Sequence, residues 1–90
     1  MKVEKTLTII NKLGLHARAA TQLAKLAQTF QADITIIQGD KSASAASVLG
    51  LMMLESSQGK EVNVVTEGED AEAALSAIEA LICAKFHEDE

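Results

Sequence analysis

The hydrophobic period of this chain changes across Asn11-Lys12-Leu13-Gly14, and that change limits the architectures open to it. Met1 to Ile10 alternates, with Val3, Lys5, Leu7 and Ile9 on one face and Glu4, Thr6 and Thr8 on the other. Such a period of two predicts a half-buried strand whose inner face is Val3, Leu7 and Ile9. From about Ala17 the spacing becomes helical, with Ala20, Leu23, Ala27 and Phe30 inward and Lys25 and Gln28 outward. Asn11 to Gly14 is turn chemistry between the two.

The remaining segments extend the pattern. Asp33 to Gln38 is a second strand, β-branched at Ile34, Thr35, Ile36 and Ile37, and Gly39-Asp40 turns it into a short Ser/Ala segment suited to a third. Ser47 is placed to cap a helix over Val48 to Leu54, where nearly every residue is apolar. At about 100° per residue Leu51 and Leu54 share one side, Leu49 and Met53 point away from them, and Met52 lies on the flank, so large apolar side chains must face solvent. Gly59 sits in a polar turn, Glu61 to Glu67 alternates Val62 and Val64 against Glu61 and Asn63, and Asp70 is placed to cap a last helix. That helix has an acidic start (Glu69, Asp70, Glu72) and a core stripe of Ala74, Leu75, Ile78, Leu81 and Ile82; His87 to Glu90 reads as a frayed tail.

The order β-α-β-β-α-β-α, with no repeat, linker or proline, predicts one α+β domain over residues 1–90, a two-layer open-faced sandwich with the helices on one sheet face. Ninety residues bury only about 60–65% of the unfolded surface, enough for one core and not two. With two Phe and no Trp or Tyr, that core must be aliphatic. Periodicity alone leaves a ferredoxin-like strand order open.

Charge narrows the partners. A net charge of −5, with eight scattered Lys and Arg, argues against nucleic acid and anionic membranes and favours a protein partner with a basic groove. The longest apolar run, Val48 to Leu54, is far too short to span a bilayer, and the start of the chain has no signal-peptide core. The single cysteine, Cys83, cannot form an internal disulfide, which suits a reducing compartment; a cytosolic location is expected, with Cys83 as a small buried helix residue. His16, Cys83 and His87 lack the short ligand spacing of zinc motifs, so no metal is expected, and no cofactor motif is visible.

His16 stands at the strand-to-helix junction with Arg18 two residues on. The unpaired N–H groups of a helix start, those of Ala17 and Arg18, together with the positive end of the helix dipole, form an anion site, and a guanidinium beside it can pair with phosphoryl oxygens. A histidine placed there can accept a phosphoryl group. The plain alternative is a polar residue that caps the helix.

Asn11 to Ala20 resembles the active-site segment of the HPr family, the small phosphocarriers of bacterial phosphotransferase systems, whose pattern runs Gly-Leu-His-x-Arg-Pro-Ala. Lys41 to Leu54 resembles the family's central segment, and Gly59 and Glu67-Gly68-Glu69-Asp70-Ala71 continue the match in register. Ala19 replaces the usual proline, which loosens the first helical turn without removing any chemistry.

The resemblance implies an antiparallel sheet of order 1-4-2-3 and a carrier that is not a turnover enzyme. It implies that His16, through Nδ1, takes a phosphoryl group from an enzyme I-type donor and passes it to an enzyme IIA-type acceptor, with Arg18 stabilising the charge. Leu49, Met52 and Met53 are candidate docking residues on a monomer. Asn11 to Arg18, the Ser47 to Leu54 run and the acidic Phe86 to Glu90 tail look more like the nitrogen-related carriers than the sugar-transport ones. In some family members a dedicated HPr kinase phosphorylates the serine matching Ser47, so Ser47 is either a helix cap or a regulatory site. A sugar-transport HPr with Ser47 control, a ferredoxin-like ligand-binding regulatory domain and a purely structural module remain as alternatives; of the three function classes, only the phosphocarrier accounts for His16 and Arg18 together.

Overall fold

The computed structural model describes residues 1–87. Among these residues four strands, β1 (Lys2–Thr8), β2 (Asp33–Gln38), β3 (Lys41–Ser44) and β4 (Glu61–Glu67), and three α-helices, α1 (Ala17–Ala27), α2 (Val48–Met53) and α3 (Ala71–Cys83), follow the order β1-α1-β2-β3-α2-β4-α3. The sheet is antiparallel in the order β1-β4-β2-β3, the order the family resemblance implied and not the ferredoxin-like one.

Register places the buried apolar residues of the strands on one face. Leu7 lies opposite Val62, Val3 opposite Thr66, and Ile36 is flanked by Val64 and Ala43. Because side chains alternate along a strand, this puts Leu7, Val62, Val64, Ile34 and Ile36 under the helices, where all five are buried. Lys5 shares that face at the β1 edge, and its ammonium reaches Glu79 of α3 at 2.7 Å with the head exposed. The opposite face keeps polar residues such as Glu4 and Asn63, which share a hydrogen bond of 3.1 Å.

The helices supply the other half of one aliphatic core. Ala20, Leu23 and Ala27 of α1, Leu51 of α2, and Ala74, Ile78, Leu81 and Ile82 of α3 pack in it with the strand residues. The small α1 residues bring that helix close to its neighbours. Phe30 lies beyond the end of α1 and is half-buried, because Thr29 closes the last turn by donating its hydroxyl to the Leu26 carbonyl at 2.6 Å.

Four expectations are corrected. Cys83 is exposed, since it lies about 140° round α3 from the buried Ile78. Asp70 occupies the N-cap position of α3, yet its carboxylate does not cap; it accepts instead from the N–H groups of Gln31 (2.9 Å) and Ala32 (2.8 Å). Gly68 explains this: an added Cβ would stand 2.8 Å from the Ala32 Cα, so the two loops run against each other and Asp70 meets backbone donors of the other loop. Of the three acids expected in the first turn, only Glu72 lies within it. The tail after α3 does not begin at Phe86, whose ring is 1% exposed and closes the core from a short 3-10 turn, Lys85–His87. Residues 88–90 of the expected acidic tail lie outside the described residues.

Candidate functional site around His16

The segment that carries His16 is fixed before it becomes a helix. Asn11 is fully buried; its side-chain amide donates to the Gly14 carbonyl at 2.8 Å, and its own carbonyl accepts from the Gly14 N–H at 3.2 Å. Gly14 has φ +64 and lies against the turn after α2, where the Leu15 N–H donates to the Ser56 carbonyl at 2.8 Å. A side chain at residue 14 would meet that same carbonyl oxygen at 2.4 Å, so glycine is required by conformation and by space. Ser56 is itself buried, and its hydroxyl donates to Oε1 of Gln38 at the end of β2. The loop before α1 is therefore tied to the sheet through the loop after α2.

His16 takes the N-cap position of α1 with extended backbone (φ −76, ψ 178), and its carbonyl accepts the first intrahelical bond from the Ala20 N–H at 2.8 Å. Its imidazole makes no cap hydrogen bond to the helix, contrary to the plain capping alternative. The N–H groups of Ala17 and Arg18 precede that first intrahelical bond, at the positive end of an eleven-residue helix. Arg18 is exposed on the first turn. His16 is half-buried and lines a shallow, open depression of about 230 Å³ together with Leu13, Leu15, Glu55, Ser56 and Ser57.

α2 divides as its periodicity predicts. Leu51 and Leu54 are buried, whereas Leu49 (69% exposed), Met53 (66%) and Met52 (40%) face outward. Ser47 caps this helix, its hydroxyl accepting from the Gly50 N–H at 3.0 Å. Ser47 lies at the end of α2 away from His16 and does not line the depression; Glu55, just past the other end, does.

A model of the family described as "PTS HPr component phosphorylation site" matches residues 3–84. The chain belongs to the HPr family. It is 63% identical to the phosphocarrier protein NPr of Shewanella violacea over 97% of this chain and 96% of that one, and 42% identical to NPr of Escherichia coli K12 over 99% and 100%. The fold superposes on a crystal structure of HPr from Thermoanaerobacter tengcongensis with a TM-score of 0.93 at 40% identity, covering 98% of this chain and 99% of that one. HPr and NPr proteins are phosphocarriers, which hand phosphoryl groups along a relay and are not turnover enzymes. No helix among the described residues of this HPr-family chain is long and apolar enough to cross a membrane.

Two residues at the site escape a reading of the sequence. Leu13 lies in the segment that resembles the family's active site but takes no role of its own from that resemblance, yet its side chain is 66% exposed and lines the depression with His16. Glu55 looks like an ordinary polar residue after an apolar helix; its neighbourhood to His16 exists only once the two loops meet.

Proposed function

We propose that this chain is a phosphocarrier of the nitrogen-related branch, loaded on His16. The observation that carries the reading is the place of His16 at the N-cap of α1, where the N–H groups of Ala17 and Arg18 precede the first intrahelical bond at the positive end of the helix. In the transfer step the deprotonated Nδ1 of His16 attacks phosphorus, and the Nδ1–P bond forms as the N–P bond of the donor's phosphohistidine breaks. Transfer back out to an acceptor is the same step in reverse. Such chemistry needs positioning and charge stabilisation more than protein-side covalent work. The buried Asn11–Gly14–Ser56 linkage supports positioning, and the helix start with the exposed Arg18 guanidinium supplies positive charge.

The proposed partners are an enzyme I-type donor and an enzyme IIA-type acceptor in the cytoplasm, met by a monomer through Leu49, Met52 and Met53. Outward-facing apolar side chains of this kind suit a docking surface, and flexible methionines suit one that must fit two partners in turn. The nitrogen branch is favoured by the 63% identity to an NPr protein, well above the 40% to an HPr of Cupriavidus necator. Ser47 is read as a helix cap, with kinase control the second reading.

Quench-flow transfer from phosphorylated first enzymes of the nitrogen and sugar relays tests the proposal. Faster loading from the nitrogen enzyme is expected, and Arg18→Ala should slow it about tenfold or more with the fold intact. Faster loading from the sugar enzyme would reverse the branch, and wild-type kinetics in Arg18→Ala would remove its role.

A further inference from the structure

Glu55 combines a costly backbone with an exposed side chain. It follows the C-cap residue Leu54 and has φ +55, in the left-handed region where a helix end ordinarily places glycine or asparagine. Little in the fold compensates. Its side chain is 80% exposed, and its ion pair with Lys41, at 3.9 Å and also exposed, is of a kind that contributes little. The backbone that carries the carboxylate is nevertheless fixed, because the left-handed residue turns the chain from α2 into Ser56, which is bonded to Gln38 and Leu15. From there Glu55 lines the depression that holds His16, together with the exposed Leu13, and also borders the recess formed by Lys41, Gly50 and Met53.

Resting on the reading of His16 as the phosphoryl acceptor, we propose that Glu55 is a specificity residue that selects phosphoryl donors presenting an arginine or lysine beside the His16 depression. A docked partner must cover this depression to reach the imidazole, and covering it removes water from the carboxylate. A carboxylate desolvated without a partner is strongly unfavourable, and one placed beside an anionic phosphoryl group is doubly so. A donor with a cation at that point pairs with the carboxylate and lessens its repulsion of the phosphoryl group. A donor with an acidic or apolar surface there leaves Glu55 unpaired and is rejected. The charge also acts before contact, by steering a basic docking face, so its effect must fall with ionic strength.

The experiment uses the full chain and the phosphorylated first enzyme of the nitrogen relay, with kcat/KM for loading measured at low and high salt. At low salt Glu55→Gln should lower kcat/KM several-fold and Glu55→Lys about tenfold or more, and both differences should shrink at high salt. Glu55→Gly separates charge from strain: it should load like Glu55→Gln while unfolding at a higher temperature than the wild type. Equal loading by wild type, Glu55→Gln and Glu55→Lys at low salt overturns the proposal and leaves His16 untouched as acceptor. A wild-type protein that takes up no histidine-bound phosphoryl group overturns the His16 reading and this proposal together.

Discussion

Gly14 lies against the backbone of Ser56, near enough that a methyl group at residue 14 would stand 2.4 Å from the Ser56 carbonyl oxygen. That carbonyl also accepts the Leu15 N–H, so the residue before His16 is held by the loop after α2. Gly14→Ala combines a left-handed backbone with a clash against backbone atoms, and should cost about 2–4 kcal/mol. Urea unfolding should show a lower midpoint at unchanged slope, and phosphoryl loading should slow beyond what the unfolded fraction explains. Wild-type stability would contradict this account of the loop.

Ser47 caps α2 through the Gly50 N–H. Ser47→Ala should destabilise the protein by about 1 kcal/mol, whereas Ser47→Asp, which also caps, should be near wild type. If the serine is also a regulatory site, Ser47→Asp slows loading of His16 at equal stability, because its charge sits beside the Leu49 and Met52 surface. Equal loading rates leave the residue as a cap alone.

Much of this fold is legible because its segments obey one period each. The alternation of Val62 and Val64, the helical spacing of Ala20, Leu23 and Ala27, and the split of α2 into Leu51 and Leu54 against Leu49 and Met53 all follow from local geometry. What is not legible depends on loops meeting in space. Asp70 has the residue type and position of a cap, but the close approach of Gly68 to Ala32 offers its carboxylate two better donors. Cys83 follows the rule that small apolar residues are buried only until its angle on α3 is considered. At the candidate site, His16 and Arg18 are readable from the helix start they occupy, whereas Glu55 joins His16 only through the Leu15–Ser56 contact.

Phe86 is one of two phenylalanines and the largest side chain fully inside the core. It sits in a turn where Lys85, Phe86 and His87 all have positive φ, so ring burial must hold the backbone in that form. Phe86→Ala should cost about 3–5 kcal/mol and expose the C-terminal end of α3 to hydrogen exchange. A loss below about 1 kcal/mol would show that the ring does not close the core.

Leu49 is 69% exposed and contributes little to the fold. Leu49→Asp should change stability by less than about 0.5 kcal/mol, yet raise the KM for the donor about tenfold, since exposed apolar anchors concentrate docking energy. An unchanged KM would place the docking surface elsewhere.

The central claim is that His16 carries the phosphoryl group. The wild-type chain and His16→Ala, each incubated with the nitrogen-relay first enzyme and phosphoenolpyruvate, should be compared by intact mass and by phosphorus NMR. The account predicts one acid-labile phosphoryl group on the wild type, with the resonance of an Nδ1-phosphohistidine, and none on a folded His16→Ala protein. A folded His16→Ala protein that still acquires the group, or a wild type modified at another residue, would contradict it.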